Sequence, residues 1–259
     1  MDLREEKLVS GGFVRHPWEV ARLAFTLGQL KRLLSSQDRE MKILDVGCGD
    51  AFVVNSIASC FPNHSFYGID IELSEKQLQQ LEKENQENVQ VVNSYKELEA
   101  TVDGEIDLLL FMDILEHIEE PVAFVDEILK MPNVRKEVVL FITVPAFQHL
   151  FMSHDRFLGH YRRYTRSLLI RHCNSLELIV EKSGYFFSLL YPLRFLQSML
   201  EKFQTQANDN SQLTWKGSKS MAEVVANVMK LGFWLESILR RASVHLPGLS
   251  VFALCRRSA

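Results

Sequence analysis

The densest chemistry in this 259-residue chain lies in VPAFQHLFMSHDRFLGHYRRYTR, residues 144–166. This stretch carries His149, His154 and His160, with Asp155, Tyr161, Tyr164, Arg156, Arg162, Arg163 and Arg166. Imidazole titrates near neutrality and a carboxylate can orient it, so His154 beside Asp155 is the first candidate for a general base, with His160 the alternate. The competing reading is that each histidine merely bonds the loop to the core. Arg162 and Arg163 sit between Tyr161 and Tyr164, and Asp155 is the only acid of the segment, so an anionic acceptor group such as a phosphate or carboxylate is expected there. His149, His154 and His160 match no usual metal-ligand spacing, and no metal is expected.

A second constellation is ILDVGCGDA at 43–51. Gly47 and Gly49 let the backbone turn tightly after an apolar run and approach a ligand where a side chain would collide. The dinucleotide fingerprint fails here, because Phe52 stands where Gly or Ala is needed and Asp50 would meet a pyrophosphate. Asp45 adds negative charge just before the glycines, so a ligand with a cationic portion suits the turn better. Further along, Asp113, Glu116 and His117 in DILEHIEEP gather titratable groups whose plain reading is to cap the next helix or pair with one another.

These residues need strands and helices to present them. Met41 to Val46, Ser65 to Ile69, Val89 to Val92, Ile106 to Met112 and Val138 to Val144 read as strands alternating with helical patterns, the signature of βαβ units around a parallel sheet. Phe52 to Cys60 reads as a helix. Ser74 reads as the N-cap of a polar helix whose buried stripe is Leu78 and Leu81, and Pro121 opens another. Another helix starts near Thr165. Ser175 to Val180 and Leu249 to Leu254 are expected as sixth and seventh strands. The predicted fold is α/β: a doubly wound, seven-stranded, Rossmann-like sheet with its ligand crevice beyond the carboxyl ends of the strands.

In that order ILDVGCGDA, GID at 68–70 and DLLLFMDILEHIEEP at 107–121 resemble the class I S-adenosylmethionine-dependent methyltransferases, over residues 16 to 184. The resemblance implies that Asp45, Gly47, Cys48 and Gly49 lie at the methionyl part of the cofactor and that Asp70, followed by Ile71, accepts the ribose hydroxyls. Asn93, Ser94 or Tyr95 would lie near the adenine, with Met112 and Asp113 facing the cofactor. The sequence departs from the family pattern at Ala51, where a third glycine is common, and at Asn93, where the third strand often ends in Asp. HPWEVAR at 16–22 resembles the helix that precedes the glycine turn in related enzymes, with Arg22 implied for the cofactor carboxylate and Trp18 as a lid. PAFQHLFMSHDRFLGHYRRYT resembles a subgroup that accompanies glycosyltransferases and lipid or polysaccharide assembly. It implies O-methylation of a glycan, glycolipid or secondary metabolite. Small-molecule N-methylation and a non-catalytic cofactor-binding scaffold are the alternatives, and Tyr161, Arg162, Arg163, Tyr164 and Trp18 are the implied acceptor contacts.

Composition bounds these readings. At 47% hydrophobic and 24% charged, with a formal charge of -4, the chain can bury a full core, and disorder is excluded. Net acidity argues against a protein that works by neutralising nucleic-acid phosphates, so no nucleic-acid partner is expected. Four scattered cysteines and a charged N-terminus lead to a cytoplasmic expectation. Residues 185–244 read as a helical insertion between strands 6 and 7: Phe186 to Phe203 and Met221 to Arg241, joined by the polar stretch 204–220. The methyltransferase domain would then be 1–184 plus 245–259. The insertion is expected to be a cover over the acceptor, with a homodimer interface or a peripheral membrane element as the other readings. The 17 phenylalanines, several of them at 147–157 and in the insertion, imply an apolar acceptor pocket beneath that cover.

Overall fold

The computed structural model describes residues 15–203, 225, 227–230, 232–233, 236–239, 244 and 246–257. The first 14 residues of the expected domain and the whole 204–220 linker therefore lie outside the described residues, as do Met221, Val224, Leu231 and Leu235 of the second insertion stripe.

Seven strands form one sheet: β1 (Lys42–Val46), β2 (Ser65–Ile69), β3 (Val89–Val92), β4 (Ile106–Met112), β5 (Val134–Pro145), β6 (Leu178–Phe186) and β7 (Ser250–Arg257). Their order is β3-β2-β1-β4-β5-β7-β6. The first five strands run parallel, and β7 enters antiparallel between β5 and β6. The order reverses beside β1, with β2 on one flank and β4 on the other. This is the switch point at which a doubly wound sheet opens its crevice. The central strands are apolar and buried on both faces, as a parallel sheet covered by helices requires.

The helices follow from local signals. α1 (Pro17–Ser35) begins with Pro at its first turn and is capped by the His16 ring, which accepts from Trp18 N–H at 3.2 Å. α2 (Phe52–Cys60) leaves the glycine turn directly. Ser74 and Gln77 form a reciprocal capping box at the start of α3 (Glu75–Glu84), and Ser94 caps α4 (Tyr95–Thr101). α5 (Pro121–Leu129) starts on Pro121, and α6 (Ser153–Leu158) lies inside the histidine-rich segment. α7 (Arg166–Ser175) is capped by Thr165, and α8 (Tyr191–Phe203) opens the insertion.

Several boundaries differ from the sequence expectation: the fifth strand begins at Val134, not Val138, and the seventh runs from Ser250 to Arg257. The sixth strand begins at Leu178, not Ser175, because α7 runs through Ser175 and the chain then reverses with Glu177 at φ 56°. The same strand extends to Phe186, so Phe186 and Phe187 belong to the strand end and not to the inserted helix. Phe186 stacks on Phe25 of α1 at 4.1 Å and Phe187 on Trp18 at 3.9 Å, while Phe252 and Phe233 meet Phe25 edge-on at 5.1 and 5.3 Å. Much of the aromatic excess is therefore a core that fastens α1 and the insertion to the far end of the sheet. Among the described residues no helix is long and apolar enough to cross a membrane.

Candidate functional site

The glycine turn is built as its sequence requires. Gly47 and Gly49 lie at φ 75° and 54°, and the N–H groups of Gly47 and Cys48 both return to the Ile69 carbonyl at the end of β2. A Cβ on Gly47 would meet the Ile114 side chain at 2.6 Å, so close packing as well as φ demands glycine there. Ala51 keeps the turn but does so in the left-handed region, at φ 55°, fully buried. Asp70 ties the turn to β2: its Oδ2 accepts from Gly49 N–H at 3.0 Å and its Oδ1 from Glu72 N–H at 3.0 Å. Each carboxylate oxygen keeps a further lone pair for a hydroxyl donor.

The turn is an acidic environment. Asp45 is buried at the end of β1, and burial, reinforced by the nearby Asp70 charge, pushes its carboxyl up to about 8. Cys48 is buried beneath Gly68 and its thiol is pushed well up, so it packs and does not react. Asp50 is held by Arg15, 2.5 Å away, whose guanidinium also lies over the Phe52 ring at 3.8 Å. Arg15 is a site residue that sequence reasoning missed, because nothing in its own neighbourhood announces a partner 35 positions away. Ile71 stands beyond Asp70, largely exposed.

Asn93 donates to the Leu73 carbonyl at 3.1 Å and to Glu75 at 3.3 Å, and Ser94 accepts from Glu97 N–H as a helix cap. Met112 ends β4, and Asp113 follows at φ 54°. Arg22, reaching across from α1, forms an ion pair with Asp113 and lies 5.9 Å from the Trp18 ring centroid. The Asp113 carboxylate also accepts from Thr143 at 3.4 Å. Two positions assigned to the cofactor from separate parts of the chain are thus paired.

On the other side of β4, the histidine-rich segment folds back on itself. Gly159, at φ 78°, ends α6 in the left-handed conformation and turns His160 toward the start of the helix. His160 Nδ1 lies 2.8 Å from Asp155 Oδ1, so the imidazole that this carboxylate orients is His160. Asp155 is fully buried and also receives Arg163 Nε at 2.8 Å, Arg163 Nη2 at 3.0 Å and Met152 N–H at 2.9 Å. Burial alone would raise its carboxyl, but His160 and Arg163 outweigh that and hold it well below the usual carboxylate range. His154 lies on α6 itself, and burial pushes its imidazole down to about 4. His149 bonds the Tyr191 hydroxyl at 3.0 Å, apart from this pair.

Three of the expected acceptor contacts face inward or serve the loop. Arg163 is buried, and its side chain is spent on Asp155 and the Ala146 carbonyl. Tyr164 is fully buried, donates its hydroxyl to the Leu115 carbonyl at 3.2 Å, and has its phenol pushed up by burial. Arg162 donates to the Glu119 carbonyl at 2.6 Å. Tyr161 remains more than half exposed, with its backbone N–H on the Glu116 carbonyl. The physical reason is a zipper: residues 161–164 lie along the short turn Leu115–His117, so alternate groups must satisfy its backbone. Trp18, expected as a lid, packs on Phe187.

Beside this zipper stand Glu116 and His117. Glu116 is buried, and burial pushes its carboxyl up to about 8. The His117 ring meets His160 edge-on at 4.6 Å. Sequence reading left these two as helix caps, and their approach to His160 depends on the Gly159 reversal.

The chain matches the model of a methyltransferase domain family, Methyltransf_23, over residues 20–204. No curated protein matches it. Among solved structures it resembles a putative sarcosine dimethylglycine methyltransferase from Galdieria sulphuraria, with TM-score 0.55 and 15% identity over 92% of this chain and 86% of that one. The plantazolicin methyltransferase BpumL in complex with SAH (S-adenosylhomocysteine) gives 0.51 and 14%, over 93% and 83%. Coclaurine N-methyltransferase, bound to N-methylheliamine and SAH, gives 0.52 and 14%, over 90% and 72%. At such identities these likenesses speak for the fold. The family match, which runs through the glycine turn, Asp70 and the histidine-rich segment alike, goes further: the chain belongs to the class I methyltransferases, whose methyl donor is S-adenosylmethionine.

Proposed function

We propose that the chain transfers a methyl group from S-adenosylmethionine to an oxygen of a small-molecule, glycan or glycolipid acceptor. The donor fits the residues present. Asp70 at the switch point favours a cationic ligand that also offers hydroxyl donors, as a sulfonium nucleoside does, and disfavours a phosphate. Asp70 is assigned to the ribose hydroxyls and the glycine turn to the methionyl part. Arg22, already paired with Asp113, is assigned to the donor carboxylate, since its fork of five N–H groups can serve both. Met112 and Asn93 border the donor, and Ser94 contributes mainly by capping α4. Bound there, the donor supplies an electrophilic methyl; the protein's part is to align it with the acceptor and keep water away, which is worth on the order of 7 to 11 kcal/mol in favourable cases.

The observation that favours an oxygen acceptor is the Asp155–His160 pair. A hydroxyl must lose a proton during transfer, and an imidazole whose Nδ1 is held by a carboxylate presents a basic Nε2. His160 therefore takes the place expected first for His154. Tyr161 and the unbonded part of Arg162 are the remaining polar groups for an acceptor. The insertion is read as a cover on this side, because Tyr191 meets His149 and Glu201 receives Ser153 N–H at 2.7 Å. Self-association and contact with a membrane surface are the other roles its exposed Leu193, Leu196 and Leu200 could serve.

The experiment is transfer of an isotopically labelled methyl from S-adenosylmethionine to hydroxyl- and amine-bearing fractions of a cell extract, read by mass spectrometry. His160→Gln should lower turnover by about 10²-fold or more with donor affinity unchanged. Label appearing only on amines, with His160→Gln at parental rate, would favour the N-methyltransferase reading.

A further inference from the structure

We infer that Glu116, His117 and His160 form a site for one divalent transition-metal ion of the zinc type. Each offers a ligand atom, and these atoms lie within 4.8 Å of one another. Two imidazoles and one carboxylate form a ligand set that zinc uses in catalytic sites, where three protein ligands leave a position open. The set differs from the three histidines considered from sequence: His149 is engaged by Tyr191, whereas His117 and Glu116 come from the turn after β4.

Two independent observations point to a ligand at this cluster. Glu116 is 1% exposed, yet its Oε2 is buried without a hydrogen-bond partner. Such an atom carries the full cost of its lost hydration unless something satisfies it. The second is the support behind His160. Its Nδ1 sits on Asp155 at 2.8 Å, and Asp155 is fixed in turn by Arg163 and Met152 N–H. A metal-binding histidine characteristically has its other ring nitrogen held by a carboxylate, which sets the tautomer and leaves Nε2 with the lone pair. The His117 ring lies edge-on to His160 at 4.6 Å, so the two rings stand side by side without stacking. Imidazole nitrogen in this proportion selects zinc and its neighbours over magnesium or calcium, which take oxygen ligands.

The inference rests on the methyltransferase reading only for its use. An acceptor hydroxyl entering the open position would bind through oxygen and become more acidic, releasing its proton to solvent as the oxygen attacks the methyl and the methyl–sulfur bond breaks, its electron pair leaving with the sulfur of S-adenosylhomocysteine. With the ion bound, His160 acts as a ligand and its Nε2 no longer takes the proton itself.

The test is calorimetric titration of ZnCl2 into the metal-stripped full chain, with CoCl2 in parallel read by visible absorption. The parent should bind one equivalent, with cobalt bands of nitrogen–oxygen coordination. Glu116→Gln, which keeps the shape of the side chain, and His117→Ala, at a partly exposed position, should each bind at least ~10-fold more weakly while unfolding at close to the parental temperature. A parent without a stoichiometric zinc site overturns the inference, as does parental affinity in both variants. S-adenosylmethionine is titrated separately: binding of zinc but not of the donor contradicts the methyltransferase site and leaves the metal site standing, and binding of the donor alone does the reverse.

Discussion

Asp45 sits at the end of β1 as a buried acid whose carboxyl is raised to about 8, so it carries its proton at neutral pH. The folded-state value lies above the unfolded one. Its stabilising contribution is therefore complete below about pH 4 and is lost as pH rises toward 8, by roughly 1.4 kcal/mol per pH unit in between. Asp45→Asn keeps the shape and removes the titration, so urea unfolding from pH 5 to pH 8 should show a flatter profile than the parent's. An unchanged slope would show that Asp45 is not the group responsible. At this scale the sequence was readable wherever chemistry is local. The glycine turn is one motif and Asp70 closes another, and the paired strands β1 and β2 bring the two to one place. The pairing of Asp155 was not readable, because adjacency along the chain favoured His154, whereas the helix of α6 and the left-handed Gly159 bring round His160. Tyr161–Tyr164 looked like an acceptor surface for the same reason: a row of polar side chains does not reveal which of them the neighbouring backbone will take.

The elements most responsible for holding the site are the ones that cross it. α1 brings Arg22 to Asp113, the residues leading into it bring Arg15 to Asp50, and its own position depends on Phe25, packed among Phe186, Phe233 and Phe252. Phe25→Ala should cost about 3–5 kcal/mol in chemical denaturation. It should also weaken donor binding, since Arg22 rides on this helix and Arg15 leads into it; a stability loss with donor affinity intact would separate the helix from the site. Strand and helix types were legible from period and caps, including the Ser74 N-cap and Pro121 at the start of α5. The end of α7 was not. SLELIV reads as a strand, but Ser175 closes a helix already under way and Glu177 makes the reversal, so the strand starts three residues later. The late phenylalanines were placed in an acceptor pocket because composition cannot distinguish a pocket wall from a core. Phe186 and Phe187 are buried against α1 and β7, while Phe157 is half exposed.

The molecule as a whole has two poles. The carboxyl ends of β1, β2 and β4 carry the glycine turn, Asp70 and Asp113. At the opposite pole Asp107, near the start of β4, is buried, accepts from Arg39 at 2.6 and 2.9 Å and from Lys42 N–H at 3.0 Å, and forms an ion pair with Arg135 at 3.1 Å. Burial opposes its ionisation, but these partners prevail and hold the carboxyl below its ordinary value. Asp107→Ala leaves Arg39, Arg135 and Lys42 N–H without their shared acid and should cost about 1–2 kcal/mol of stability, the arginines being partly solvated, with donor affinity unchanged because the site lies at the other end of the strands. A loss of donor binding equal to that seen with site variants would deny the separation of the poles. This polarity was legible in advance, since a parallel sheet with its switch point beside β1 fixes which end is open. The order of the last two strands and the fastening of the insertion depend on long-range packing, which no local pattern records. The central claim is that this fold binds S-adenosylmethionine through Asp70 and the glycine turn. Calorimetric titration of the donor into the parent chain and into Asp70→Ala tests it most directly. The parent should bind one equivalent and the variant at least ~10-fold more weakly, a loss of about 1.4 kcal/mol or more. Absence of binding by the parent, or equal affinity in the two proteins, would contradict it.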